Sequence, residues 1–152
     1  YMVPDGLVTA MACRNGRVLT VTDTCFASGS ANGTLAGSYS YEGTYLREYD
    51  LGGGDFTALL LNRYQAGSVG RLVTVDDQGA EIASLDISEE VRGISAAGRY
   101  IAVLYSDRLT IYDKNWNEHA TLEGVSTARQ VLMRADGSAV LAGSASASLY
   151  LP

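Results

Sequence analysis

A tight turn closing on glycine recurs four times along the chain, as Arg14-Asn15-Gly16, Gly52-Gly53-Gly54, Ala96-Ala97-Gly98 and Ala135-Asp136-Gly137. The closing glycines, at 16, 54, 98 and 137, lie 38, 44 and 39 residues apart. Asn-Gly and Asp-Gly supply the positive φ that a type I′ turn needs at its central residues, so these turns read as β-hairpins.

The clearest pattern around such a turn is Arg99–Asp113, RYIAVLYSDRLTIYD. In Arg99–Tyr105, Tyr100, Ala102 and Leu104 alternate with Ile101, Val103 and Tyr105. Both faces are largely apolar, so the strand is expected to be covered on both sides. In Arg108–Asp113, Leu109 and Ile111 alternate with Arg108, Thr110 and Tyr112. β-Branched and aromatic residues fill both runs, without Gly or Pro.

Hairpins at a period near forty are the spacing of four-stranded propeller blades. The blades fall at approximately 7–41, 44–87, 91–123 and 128–152. In the first, RVLTVTDTCFASGSANGTLAG lies under RYIAVLYSDRLTIYDKNWNEHATL of the third without a gap. The second carries its extra length in the polar loop Arg63–Gly70. The fourth reads ARQVLMR, SAVLAGS and ASLYL and lacks an outer strand. The expected fold is therefore all-β, a β-propeller of four ~40-residue blades with the last one incomplete. Two continuations fit: a parent protein with further blades upstream, or four blades that close on themselves or pair with a second copy. The first is preferred, because Tyr1–Gly6, interrupted by Pro4, is too short for a closing strand.

Hydrophobic residues make up 47% and charged residues 18%, a balance that excludes disorder. Seventeen acidic against eleven basic residues leave a net charge of -6, and Lys114 is the only lysine. An acidic chain without a basic run is a poor match for nucleic acid or an anionic membrane, whose affinity comes from phosphate contact. No apolar run approaches the ~18–20 residues of a membrane span. Cys13 and Cys25 are too few for a disulfide framework or a four-ligand zinc site. On the first and third strands of one blade they would lie ~9–10 Å apart, so two buried free thiols are expected rather than a bond.

The ~40-residue unit resembles WD40-like and quinoprotein-like β-propellers. More narrowly, the run from RYIAVLYSDRLTIYD through NEHATLEG and ARQVLMRADGSAVLAGSASASLYLP is similar to the C-terminal end of a functionally uncharacterised propeller family from Firmicutes. That resemblance implies a longer bacterial parent with an N-terminal membrane anchor and an outward-facing, extracellular propeller. It implies no activity. The chain has neither the Trp-Asp nor the Gly-His pair of true WD40 repeats, and it lacks the Trp-docking motifs of quinoprotein dehydrogenases, so no cofactor carries over.

Among the chemistry-bearing residues, His119 is the only histidine and reads as an exposed or half-packed structural residue. Asp76-Asp77-Gln78-Gly79 has adjacent acids rather than alternating ones, so it is turn chemistry rather than a calcium loop. Arg47, Arg92 and Arg129, with Tyr45 and Tyr49, fall near the starts of the later inner strands. There they are candidates to line a central channel and hold an anionic ligand or peptide carboxylate. Trp116, in the turn Lys114–Asn117, is a candidate interaction contact, or else caps the apolar edge between blades. No metal site and no catalytic group is assigned. The preferred function is a non-catalytic scaffold presenting loops or a channel mouth to a protein or small ligand, with homodimerisation through the open blade edge a further option. The alternative is a propeller enzyme acting on carbohydrate, for which Glu48 and Asp50 are the central acids.

Overall fold

The computed structural model describes residues 6–152, which form antiparallel sheets without helices. The first sheet contains β1 (Val8–Arg14), β2 (Arg17–Thr22), β3 (Cys25–Ser30) and β4 (Leu35–Ser40). The second contains β5 (Tyr45–Asp50), β6 (Phe56–Asn62), β7 (Gly70–Asp76) and β8 (Glu81–Ile87). The third contains β9 (Val91–Ala97), β10 (Tyr100–Tyr105), β11 (Arg108–Tyr112) and β12 (Glu118–Glu123). The last contains β13 (Gln130–Met133), β14 (Ala139–Ala142) and β15 (Ala147–Tyr150). Each is a meander in chain order. The first strands of successive sheets lie side by side, β5 against β9 and β9 against β13.

Apolar clusters fill the spaces between neighbouring sheets. Leu19, Val21 and Phe26 meet Leu59, Leu61, Val73 and Val75 between the first and second. Phe56, Ala58, Leu60 and Leu72 meet Ile101, Val103 and Tyr105 between the second and third. Tyr100, Ala102, Leu104, Leu109 and Ile111 meet Met133, Ala139 and Leu141 between the third and last. Strand β10 is buried along its whole length because its two apolar faces serve two of these cores. Among the described residues no such cluster joins the last sheet to the first, so the sheets form an open arc.

Buried hydroxyls tie one sheet to the next. Ser28 Oγ donates to the Asp77 carbonyl at 2.5 Å, and Thr74 Oγ1 donates to the Lys114 carbonyl at 2.6 Å. Both reach the hairpin between the third and fourth strands of the neighbouring sheet. Ser95 Oγ accepts the Met133 amide at 2.8 Å. In apolar surroundings such bonds hold the sheets in one register, since slippage would strand a desolvated polar group.

The structure corrects the alignment of the first and third blades. Leu19 faces the second sheet and matches Ala102, which faces the last sheet; it does not match Ile101, which faces back. A slip of one residue exchanges the two faces of a strand. The turn at Gly52-Gly53-Gly54 also differs from expectation, because none of its glycines has positive φ. They admit a neighbouring backbone instead: Gly53 forms a parallel bridge with Gly98, and Gly54 N donates to Gly98 O at 2.8 Å. A Cβ on Gly52 would overlap the Ala96 carbonyl oxygen. Cys25 is buried as expected, but Cys13 is exposed rather than buried, because it lies on the outer face of β1.

Candidate binding groove on the inner strands

The proposed channel residues separate into different places. Strand β5 carries a bulge between Leu46 and Glu48, and Arg47 is the residue that the bulge sets aside. A bulge re-aims the side chains on either side of it. Arg47 consequently lines a small recess with Asn62, Ser68, Glu89 and Glu90. Tyr45 opens onto a recess against the first sheet. Tyr49 packs on the core between the first and second sheets, with its hydroxyl 3.4 Å from the Thr9 carbonyl oxygen. A ring of three arginines is therefore not formed.

Arg92 and Arg129 do come together. They line a groove of about 580 Å³ with Glu48, Ile94, Leu132 and Val140. Arg92 stands near the start of β9 and its Nη1 donates to the carbonyls of Ser126 at 2.7 Å and Ala128 at 3.1 Å. Those bonds hold the segment that leads into β13. Arg129 directly precedes β13, tied through its backbone amide to the Ala142 carbonyl, and is exposed. Glu48, past the bulge, enters from the second sheet. Burial raises its carboxyl pKa, and the Arg47 charge opposes that rise. The arrangement is two guanidiniums and one carboxylate beside the apolar side chains Ile94, Leu132 and Val140. It suits an extended segment that carries both an anionic and an apolar group.

The other acids are committed elsewhere. Asp50 Oδ1 accepts the Gly52 amide and Oδ2 the Ala96 amide at 2.9 Å, which joins the second sheet to the third. Glu48 has no carboxylate partner among the residues lining its groove. Asp76 Oδ1 accepts the amides of Gln78 and Ala80, as turn chemistry requires. Asp77 instead pairs with Arg14 of the first sheet at 2.6 Å. Glu89 pairs with Arg108 at 2.7 Å rather than with the groove arginines.

Trp116 is not an exposed contact. It is 7% exposed, its indole N–H donates to the Ala83 carbonyl at 3.2 Å, and its ring meets Tyr112 edge-on. A positive φ of 64° turns it inward to cap the core between the second and third sheets. His119 is exposed and rests against Tyr100 with ring centroids 5.1 Å apart. Sequence reasoning missed the apolar part of the groove. Its signal lay in VLM of β13, a run apolar on both faces, of which one face is uncovered: Leu132 is 61% exposed.

Neither a protein-family model nor a curated protein matches the chain. Solved structures do. It is similar to Chaetomium thermophilum Raptor (TM-score 0.67, 15% identity), over 95% of this chain and 15% of that one. It is also similar to BamB from Moraxella catarrhalis (0.63, 14%), over 88% of this chain and 41% of that one. The Neurospora crassa Pan2 WD40 domain matches as well (0.59, 14%), over 94% of this chain and 46% of that one. At such identities the likeness is one of fold: an all-β propeller of WD40-like form. The chain spans less than half the length of each of these three structures.

Proposed function

We propose that this chain is an arc of a larger β-propeller that acts as a non-catalytic scaffold. It grips an extended, acidic-and-apolar segment of a partner in the groove between β9 and β13. The observation that carries this reading is the meeting of Arg92 and Arg129 beside Ile94, Leu132 and Val140. Arg92 is committed to backbone carbonyls, so Arg129 is the arginine free to answer a carboxylate. A dye-labelled peptide ending in Leu-Leu with a free carboxylate tests this by fluorescence anisotropy. Arg129→Ala should weaken its binding about tenfold, as for loss of one charge-assisted hydrogen bond. Equal binding of the amide-capped peptide would overturn the reading.

The arc itself rests on exposed apolar side chains at its two ends. On the last sheet Leu132, Val140 and Leu149 lie in one cross-strand row, with Leu132 61% and Leu149 51% exposed, while among the described residues β15 has no strand at its outer side. On the first sheet Met11 and Leu35 are exposed. Rows of this kind between the inner sheets are buried, so these ends belong against further sheets of the same sort. The chain by itself should therefore associate: light scattering should give a mass above 16.1 kDa that rises with concentration. Replacing Leu132 and Leu149 with arginine should return it to the single-chain value. A wild-type chain that stays single at every concentration and binds no hydrophobic dye would count against the arc.

A further inference from the structure

Glu48 enters the groove because of the bulge in β5. Leu46 and Tyr49 both pack on the core between the first and second sheets, although a regular strand would place residues three apart on opposite faces. The extra residue, Arg47, reconciles them. Beyond it Glu48 pairs with Leu60, which belongs to the core between the second and third sheets, so the Glu48 side chain takes the face toward the third sheet. There it lines the groove with Arg92 and Arg129. In an unbroken strand Glu48 would share the face of Leu46 and point at the first sheet. The irregularity thus aims one carboxylate into the groove, as bulges beside functional sites do.

Once there, the carboxylate has no partner. Glu48 is half-buried, and among the described residues it accepts no hydrogen bond and forms no ion pair. Arg92 is turned to the carbonyls of Ser126 and Ala128, and Arg129 is exposed. Arg47, set aside by the bulge, is exposed on the same strand. No other titratable group lines the groove. A carboxylate drawn out of water is unfavourable without a cation. A ligand bringing only a carboxylate to Arg129 would add a second negative charge to the groove, and like charges in one interface repel. With Arg129 holding the ligand's carboxylate, a role that depends on the function proposed above, we infer that the groove selects a segment carrying both charges. A basic side chain meets Glu48 while the carboxylate meets Arg129, and Glu48 is the residue that sets this specificity.

The test is fluorescence anisotropy of the 152-residue chain with dye-labelled peptides that end in Leu-Leu and a free carboxylate. Lysine is placed third, fourth or fifth from the end, each time against the neutral norleucine. At its best position lysine should tighten binding about tenfold, as for one charge-assisted hydrogen bond. Glu48→Gln should erase that gain without lowering the melting temperature at pH 7, a combination that a structurally paired carboxylate does not give. Burial raises the Glu48 carboxyl above its ordinary value. The lysine gain should therefore fade as pH falls, before the peptide's own carboxylate is protonated. Equal binding of the lysine and norleucine peptides at every position, a gain that survives Glu48→Gln, or a lowered melting temperature in that variant would each overturn the proposal. If Arg129→Ala still weakened the norleucine peptide, any of these results would leave the groove itself standing. Binding of no peptide would remove both.

Discussion

Replacing Arg14 with alanine is expected to destabilise the protein by about 3–5 kcal/mol, the range for removing one partner of a buried ion pair. The guanidinium joins the first sheet to the second. Its Nε and Nη2 donate to Asp77 Oδ1 at 3.0 and 2.6 Å, Nη1 donates to the carbonyls of Leu51 and Gly53, each at 2.9 Å, and Nη2 also reaches Thr57 Oγ1 at 3.1 Å. The two side chains are 9% and 12% exposed, so solvent screens the pair little. Alanine would leave the Asp77 carboxylate and two carbonyls without their donor inside a dry contact. Asn15, which donates to Asp77 Oδ2 at 3.2 Å, would compensate in part. Arg14→Lys should recover only a fraction, because an ammonium lacks the planar fork that reaches four partners at once. Urea denaturation of the two variants measures this. A loss below about 1 kcal/mol for Arg14→Ala would show that the sheets are held by apolar contact alone.

Phe56→Ala is expected to cost about 3–5 kcal/mol, the range for truncating a buried aromatic. Phe56 is fully buried at the start of β6, in the core shared by the second and third sheets. Its ring also lies against Gly53, where a Cβ would come within 2.8 Å of it. That glycine in turn bridges to Gly98 of the third sheet. The truncation would open a cavity next to the turn that couples the two sheets. Thermal unfolding should show both a lower midpoint and a shallower transition, as sheets that melted together begin to separate. A sharp transition at an unchanged midpoint would place the coupling elsewhere.

Both variants act between sheets. The same holds for the groove, which is lined by Glu48 from one sheet, Arg92 from the next and Arg129 from the last. Disturbing a contact between sheets should therefore reach the groove, whereas a change on an outer strand such as β12 should not.

Strand positions were legible in the sequence because alternation and glycine-closed turns are local signals. Tyr100–Tyr105 reads as covered on both faces, and it is. The five proposed channel residues were less legible. All sit on or directly before inner strands, yet a bulge at Arg47 and the packing of Tyr49 leave only Arg92 and Arg129 together. The partnership of Arg14 with Asp77 spans 63 residues and has no local mark. Asp77 and its neighbour Asp76 look alike in sequence, yet one closes a turn and the other joins two sheets.

By itself, then, the sequence determined the all-β class, the meandering hairpins near a forty-residue period and the apolar faces of the best strands. These follow from backbone sterics and from a side-chain period of two, which act within a few residues. The tertiary structure decided the phase of the first sheet against the third, the inward turn of Trp116, the pairing of Arg14 with Asp77 and the company kept by each arginine. Those depend on how separate sheets settle against one another, where burial and hydrogen bonding between distant residues outweigh any local preference.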